Sequence, residues 1–450
     1  MNPEFERNLW LEATPLRLGL MAGFLLLTFL ASSAIPGLSD SGRAASFLYY
    51  FIVVLWGTRN AALGVVGEIR ERTWDAQRLS SIEPSTMMWG KLFGATCYNW
   101  FGGLICLPFV LWPVFRDHGA IAMAQQALIL LTLGVFAQAI SLLASLNLVR
   151  RQNNNWRLDT FLCQVAGIVV AGAYWGVLQG ESRLLGTNYW WGWTFDARNF
   201  HVVSLCLFTA WALMGCYRAM RVELRFENGP FVWLGWLLFL SVYAAGFETW
   251  LESRSLQSLA GEMITSRATL YRLLIVTLTL AVSTYGMVVV EVKDPVRLRW
   301  LAEKLGQGRL VALFLRLDSW MLSYAVTLLV GLALVARLFI DPGIGNGLFR
   351  ISDGGWAVLA MLGFLSRDIA LFLVMRSWSR NRGDLGAIAL LAALYVLAPI
   401  ITGHTPLALL FRPQWDHIGP LSPVFAWIEA AGVAVLAVRR LRLARKPDNA

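Results

Sequence analysis

Apolar residues run along this chain in blocks of about 18 to 25, the length that crosses a roughly 30 Å hydrocarbon core as an α-helix. The blocks predict spans at 17–36, 44–66, 93–115, 121–148, 158–179, 200–217, 230–249, 268–290, 312–338, 355–375, 387–403 and 420–438. The polar connectors between them hold at most 26 residues, too few for a separate soluble domain. The expected fold is an all-α polytopic membrane protein with about twelve transmembrane helices.

Composition agrees. The chain has 450 residues, 57% of them hydrophobic and only 15% charged. Soluble domains carry about 25% charged residues, so the apolar excess here must face something other than water. The net charge of +10 could suggest nucleic acid, but its distribution argues against that. Basic residues gather on alternate connectors: Arg70, Arg72, Arg78 and Lys91; Arg150, Arg151 and Arg157; Arg218, Arg221 and Arg225. The series continues with Lys293 to Arg309, Arg376 to Arg382 and Arg439 to Lys446. The other connectors carry few, such as Arg43, Arg116 and Arg412. This is the positive-inside pattern, and it places both termini in the cytoplasm. A nucleic-acid partner would require one basic face instead. The five cysteines lie within or beside apolar spans and read as small buried hydrophobes. Asn2 to Arg7 are polar and no small-residue cleavage site follows the first span, so that span is expected to stay in the mature protein.

The spans fall into two tandem copies. Leu9-Trp10-Leu11-Glu12-Ala13-Thr14-Pro15 corresponds to Leu224-Arg225-Phe226-Glu227-Asn228-Gly229-Pro230, and Glu68 to Glu291. Ser141…Arg151 matches Ser366…Arg376, Asp159 matches Asp384, and Trp193-Thr194-Phe195-Asp196 resembles Gln414-Trp415-Asp416. Ordered matches at a near-constant offset mark a repeat. The expected domains are two six-helix halves, 1–217 and 218–450, in parallel topology.

The connector after the second span carries most of the chemistry. It reads Glu68-Ile69-Arg70-Glu71-Arg72-Thr73-Trp74, continues through Leu79 and Ile82, and ends Glu83-Pro84-Ser85-Thr86-Met87-Met88-Trp89-Gly90-Lys91-Leu92. Trp74, Leu79 and Ile82 can share one face of a short amphipathic helix. Pro84 ends it, and Ser85 or Thr86 can cap the next helix. The expected result is a small helix lying under the membrane, with Trp74 and Leu79 free to plug into a partner.

Here the chain resembles the permease subunits of type-2 ABC exporters. The resemblance rests on Glu68, Thr73, Leu79, Pro84, Thr86, Gly90 and Lys91, with Arg72 and Trp74 beside them, and on amphipathic openings at Asn2–Arg17 and Arg218–Pro230. It implies interface and coupling helices on the cytoplasmic side and a separate ABC ATPase subunit, in two copies, that holds ATP and Mg. Further membrane or extracytoplasmic subunits are compatible with it. No cofactor is expected in this chain itself, and no Gly-x-x-x-x-Gly-Lys-Ser/Thr loop is present to hold ATP. The second copy keeps Glu291 and offers Trp300 and Leu301, but lacks the Pro-x-Ser/Thr and Gly-Lys elements. The resemblance also places spans 2, 5, 8 and 11 at the centre. Their candidate path residues are Tyr49, Tyr50, Trp56, Arg59, Tyr174, Trp175, Tyr271, Arg272, Tyr285 and Tyr395.

Charges within spans cost about 2.5–3.5 kcal/mol each at the bilayer centre. Arg59 is therefore read as lining a path, and Arg367–Asp368 as glue between helices. His118, His201, His404 and His417 all fall on the expected outer side without metal-ligand spacing, so no metal is expected. Trp190, Trp191, Trp193 and Trp415 read as interfacial anchors. The function expected is the transmembrane permease of an ATP-driven exporter in a bacterial inner membrane, its cargo lipid-like or amphipathic. The alternatives are a twelve-helix secondary transporter and a membrane-embedded enzyme.

Overall fold

The computed structural model describes residues 2–34, 41–80, 82–149, 156–179, 186–248, 264–291, 293–340, 354–378, 383–397, 400 and 420–443. Contacts divide the chain into two compact units, residues 1–188 with 194–228, and 189–193 with 229–450.

The first unit opens with α1 (Pro3–Glu12) and α2 (Pro15–Ala34). Asn2 caps α1 by accepting from the Glu4 and Phe5 amides, and Pro3 stands at the first helical position, where its missing N–H costs nothing. Along α2, Leu16, Leu20, Phe24 and Leu27 are exposed, while Met21, Leu25 and Phe29 are buried. An apolar stripe turned outward suits lipid, not water. Next come α3 (Ser41–Tyr49), a π-helical segment (Tyr50–Trp56) and α4 (Gly57–Arg70), which form one continuous apolar rod. Two short helices follow, α5 (Trp74–Arg78) and α6 (Pro84–Gly94).

Helix α7 (Cys97–Val149) runs for 53 residues, about 80 Å at 1.5 Å per residue, far longer than a bilayer is thick. It is not one rod. Gly119 has φ 83° and ψ −177°, so the helix breaks there into two stretches of membrane-crossing length. Only glycine adopts that backbone without strain. The unit ends with α8 (Trp156–Gln179) and α9 (Ala197–Glu223).

Between α8 and α9 lies a hairpin of β1 (Thr187–Trp190) and β2 (Trp193–Asp196). Its turn residues Trp191 and Gly192 both have positive φ, the signature of a type I′ turn.

The second unit contains α10 (Phe231–Ala245), α11 (Ile264–Val290), α12 (Pro295–Gly306), α13 (Leu310–Leu315), α14 (Ser319–Ile340), α15 (Gly354–Trp378), α16 (Gly383–Ala392) and α17 (Leu421–Leu443). A second π-helical segment, Ala393–Leu397, continues α16. Among the described residues, eight helical segments are long and apolar enough to cross a membrane, and Phe231–Ala245 and Gly383–Leu397 are shorter apolar helices. The architecture is that of a predominantly helical, multi-pass membrane protein.

The opening expected at Arg218–Pro230 is not a separate interface helix. Residues up to Glu223 finish α9. Arg225 then turns left-handed at φ 67°, with the Phe226 amide donating to the Arg221 carbonyl, which closes the helix end. Side-chain caps do not start α6 either. Glu83 precedes it and Pro84 takes its first position, so Ser85 and Thr86 lie inside the helix.

Candidate functional site

Three polar centres stand out. The first joins α1, α4, α5 and α6. Lys91, whose side chain is 1% exposed, lies 3.1 Å from Glu4, 2.8 Å from Gln77 Oε1 and 3.3 Å from the Gly64 carbonyl, and it is ion-paired with Glu68. Arg7 completes the set, 2.8 Å from Glu4 and paired with Glu68. Two cations thus balance two carboxylates, which is the condition for burying them. Trp74 lies under Lys91, its ring centroid 5.1 Å from Nζ. Gly90 and Gly94 let α1 come close: a Cβ at Gly90 would fall 2.6 Å from Glu4 Cβ, and one at Gly94 2.8 Å from Asn8 Cβ.

This arrangement corrects two expectations. Trp74 is 4% exposed and cannot plug into a partner; it is part of the frame. Gly90 and Lys91 face α1, not an outside surface. What the frame presents is Leu79, 89% exposed. Arg72 ends α4 in the left-handed region at φ 59°, and the Thr73 amide and hydroxyl both donate to the Glu68 carbonyl. The turn that leads to Leu79 is therefore closed by hydrogen bonds.

In the second unit Glu291 plays a comparable part with different chemistry. Its carboxylate accepts from the Trp320 amide at 3.0 Å, at the N-terminus of α14. A helix N-terminus carries the partial positive charge that a lysine would otherwise supply. Lys293 is buried and lies 3.4 Å from Asp384, and Arg297 pairs with Asp318 at 2.9 Å. Burial, with Glu291 nearby, pushes the Asp318 carboxyl up to about 6, with Arg297 opposing. Leu301 is 4% exposed, so it too belongs to the core and not to a docking face. Trp300 lies between the cations of Lys304 and Arg316. The exposed apolar residues of this connector include Val296, Leu305, Leu310, Val311, Phe314 and Leu315.

The second centre surrounds the π-helical segment Tyr50–Trp56. A π-turn shifts the backbone ladder by one residue, and here the Gly57 amide donates to the Ile52 and Val54 carbonyls. Three amide side chains add further donors to carbonyls of this segment. Asn99 donates to the Ile52 carbonyl at 2.9 Å, Gln138 to Val53 at 3.0 Å and Gln164 to Leu55 at 2.9 Å. Trp100 and Asn60 in turn hold Gln138 and Asn99. Of the candidate path residues, Tyr49 is fully buried and donates to the Leu130 carbonyl, which makes it structural. Tyr50 is half-buried, whereas Trp56 and Arg59 are exposed. Arg59 has no hydrogen-bond or ion-pair partner among the described residues. The side chains of Tyr174 and Trp175 lie outside those described.

The third centre is in the second unit, where Asp368 is fully enclosed on α15. Tyr285 of α11 and Tyr395 of the second π-helical segment each donate to its Oδ2 at 2.7 Å. Arg367 holds Oδ1 at 3.0 Å and reaches Glu429 of α17 at 2.9 Å. Tyr285 and Tyr395 are thus brought together, through an aspartate on a third helix. Tyr271 and Arg272 are not part of this group. Tyr271 packs in an apolar cluster with Leu334 and Val335. Arg272 pairs with buried Glu248 at 2.5 Å and stacks on Trp191.

Trp190 and Trp191 are likewise not free anchors. Their indole N–H groups donate to the Tyr243 and Val242 carbonyls, and only Trp193 remains widely exposed. His404, His417 and Trp415 lie outside the described residues.

Sequence reasoning missed Glu429 and the amide trio. The signal for Glu429 was present: a lone acid within an apolar span is costly unless it is used. Gly90-Lys91-Leu92-Phe93-Gly94 is also a small-xxx-small pattern, the mark of close helix approach. Compared with protein families, curated proteins and solved structures, the chain matches none of them.

Proposed function

We propose that this chain is the membrane-spanning subunit of an ATP-driven transporter of the exporter type, moving a lipid-like or amphipathic cargo, and that two separate ATPase subunits dock on its connector helices. One observation carries this reading. Leu79 projects from a short connector braced by buried ion pairs, a rigid presentation of an apolar side chain that has no internal use. Central apolar anchors of this kind dominate docking energy.

The accompanying topology is twelve crossings in two tandem six-helix halves, with both termini in the cytoplasm. The eight long apolar segments, the break at Gly119, helix α8 and the two shorter apolar helices supply that number. Impermeant thiol reagents should label cysteines placed at Ser39, Ser182 and Asn346 in intact cells, but not at Asn154 or Asn381; the opposite pattern would invert the topology. The docking itself is tested by purifying the protein gently from its native membrane. A co-purifying ATPase supports the reading, and transport in vesicles driven by an ion gradient without nucleotide would overturn it.

A secondary transporter is the second reading, and the charged centre at Asp368 is what favours it, since buried ionisable groups in spans mark ion pathways.

A further inference from the structure

Helix α13 consists wholly of apolar residues, Leu310-Val311-Ala312-Leu313-Phe314-Leu315, and none of them is buried. Leu310, Val311, Phe314 and Leu315 share one face at helical spacing, and all are exposed, Val311 to 75%. An apolar face of this kind is unfavourable in water and marks a contact surface.

Several ties fix where that face lies. Gly308 turns left-handed after α12, with the Arg309 amide donating to the Lys304 carbonyl at 3.1 Å. Arg297 donates to the Arg316 carbonyl at 2.9 Å, which brings the start of α12 to the end of α13, so the two helices fold back on one another. Arg297 also pairs with Asp318, one residue before α14 begins. The Phe314 ring meets that of Phe231, the first residue of α10, edge to face at 6.1 Å. Glu291, just after α11, accepts from the Ser319 and Trp320 amides. Helix α13 therefore sits level with the starts of α10 and α14 and the end of α11. For helices that cross a bilayer, that level is the boundary between acyl chains and headgroups.

The polar groups around it are mostly cationic. Residues 294–318 hold Arg297, Arg299, Lys304, Arg309 and Arg316 against Asp294, Glu303 and Asp318. Asp294 caps α12 through the Val296 amide, and Asp318 is taken by Arg297. Lys304 donates to the neutral Gln307 Oε1 at 3.2 Å, and Lys304 and Arg316 flank Trp300, an arrangement suited to the membrane interface. The side chains of Arg299 and Arg309 have no hydrogen-bond or ion-pair partner among the described residues, and Arg299 Nε is buried. A buried donor without an acceptor is unfavourable, and a guanidinium fork matches the oxygens of a phosphate.

We propose that α13 is an interfacial anchor for anionic lipid. Its apolar face seats among the acyl chains of the leaflet in which α10 and α14 begin, and Arg299 and Arg309 each pair with the phosphate of an anionic phospholipid beside it. A soluble partner would require this face to stand clear of the span ends, and the ties to Asp318 and Phe231 keep it level with them. The anchor goes beyond the docking proposed above and does not depend on whether ATP drives transport.

Fluorescence quenching tests it. The full-length protein carries an environment-insensitive fluorophore on Val311→Cys and is placed in nanodiscs, which leave both leaflets open to reagents. Labelled parent protein gives the background from Cys97 and Cys206, the two native cysteines that are not buried. Phospholipid brominated in its acyl chains should quench the fluorophore, and iodide should quench it several-fold less than the same fluorophore on glutathione. In discs that mix phosphatidylcholine and phosphatidylglycerol in equal amounts, bromine on the phosphatidylglycerol should quench more than bromine on the phosphatidylcholine. The local preference should be about fivefold or more, the worth of one cation at an anionic surface. Arg299→Gln with Arg309→Gln should bring the preference close to one while the quenching by fully brominated discs is unchanged. Quenching by iodide as strong as on glutathione would show the face open to water and overturn the proposal. Equal quenching by the two brominated lipids, or a preference that survives the double variant, would overturn it as well. The Val311→Cys protein with its native arginines decides the matter even if the double variant fails to fold.

Discussion

Lys91 reaches Glu4 across 3.1 Å and so ties the first helix of the chain to the short helix that leads into α7. Both side chains are almost wholly enclosed. Breaking a buried pair by removing one partner costs about 3–5 kcal/mol, because the other charge is left behind. Lys91→Met should therefore lower thermal stability in detergent markedly. Adding Glu68→Gln should restore part of the loss, since it removes one of the stranded carboxylates. An additive double variant would show that the two residues do not interact.

Gly90→Ala places a methyl group 2.6 Å from Glu4 Cβ, where backbone and not a flexible tip must yield. Helix α1 should detach, and limited proteolysis should cleave within its first residues far faster than in the parent. Unchanged cleavage would mean that the helix adapts in place.

Leu79→Asp and Trp74→Ala should separate docking from folding. Leu79 is 89% exposed, so its replacement should leave stability within about 0.5 kcal/mol while reducing capture of the ATPase subunit. Trp74 is 4% exposed, so its truncation should cost about 3–5 kcal/mol of stability. Pull-down at equal membrane expression, beside a melting curve for each variant, reads both effects. Normal capture by Leu79→Asp would remove the main support for docking at this connector.

Gln138→Leu removes a buried side-chain donor to the Val53 carbonyl and the acceptor of the half-buried Trp100 indole N–H. A buried polar group left without its partner costs about 1–3 kcal/mol. The loss should exceed that from Gln125→Leu, because Gln125 bonds to Asn199 at an exposed position. Comparing the two melting temperatures checks this.

Asp318 gives a pH dependence with a definite sign. Its carboxyl titrates at about 6 when folded, above its ordinary value of 3.8. The folded protein therefore holds this proton more tightly than the unfolded chain does. The group's contribution is most favourable below the ordinary value and is lost as pH rises through about 6. Asp318→Asn keeps an N-cap side chain while removing the charge. It should flatten the fall in melting temperature across that window and be the more stable protein at neutral pH. A variant with the parent's pH profile would assign the dependence elsewhere.

The membrane architecture was legible because a bilayer imposes a simple length and polarity rule on every crossing. The connector motif was legible as a pattern but not as a task. Glu68, Trp74, Gly90 and Lys91 look from their spacing like a partner-facing surface, and they turn inward because α1, 87 residues away from Lys91, supplies Glu4. No local rule announces a contact at that separation. The hairpin at Thr187–Asp196 was missed for a related reason: its tryptophans satisfy the expectations of a membrane interface, and only one of the two positive-φ turn residues, Gly192, is a glycine, the other being Trp191. Asn99, Gln138 and Gln164 could have been noticed as amides within apolar spans, but their common target, the π-helical segment Tyr50–Trp56, has no signal in the local sequence.

The two carboxylates that anchor the connectors, Glu68 and Glu291, differ in how they withstand mutation. Glu68 relies on the side chains of Lys91, Arg7 and Gln77, and replacement of Lys91 strands Glu4 and Glu68 together. Glu291 bonds to main-chain amides of Ser319 and Trp320, which every residue except proline provides. Any substitution at those two positions other than proline leaves both donors of the second anchor in place. A mutational scan should therefore find the first connector brittle at one position and the second tolerant at the matching ones, so that sequence drift is free to proceed in one half of the protein and is arrested in the other.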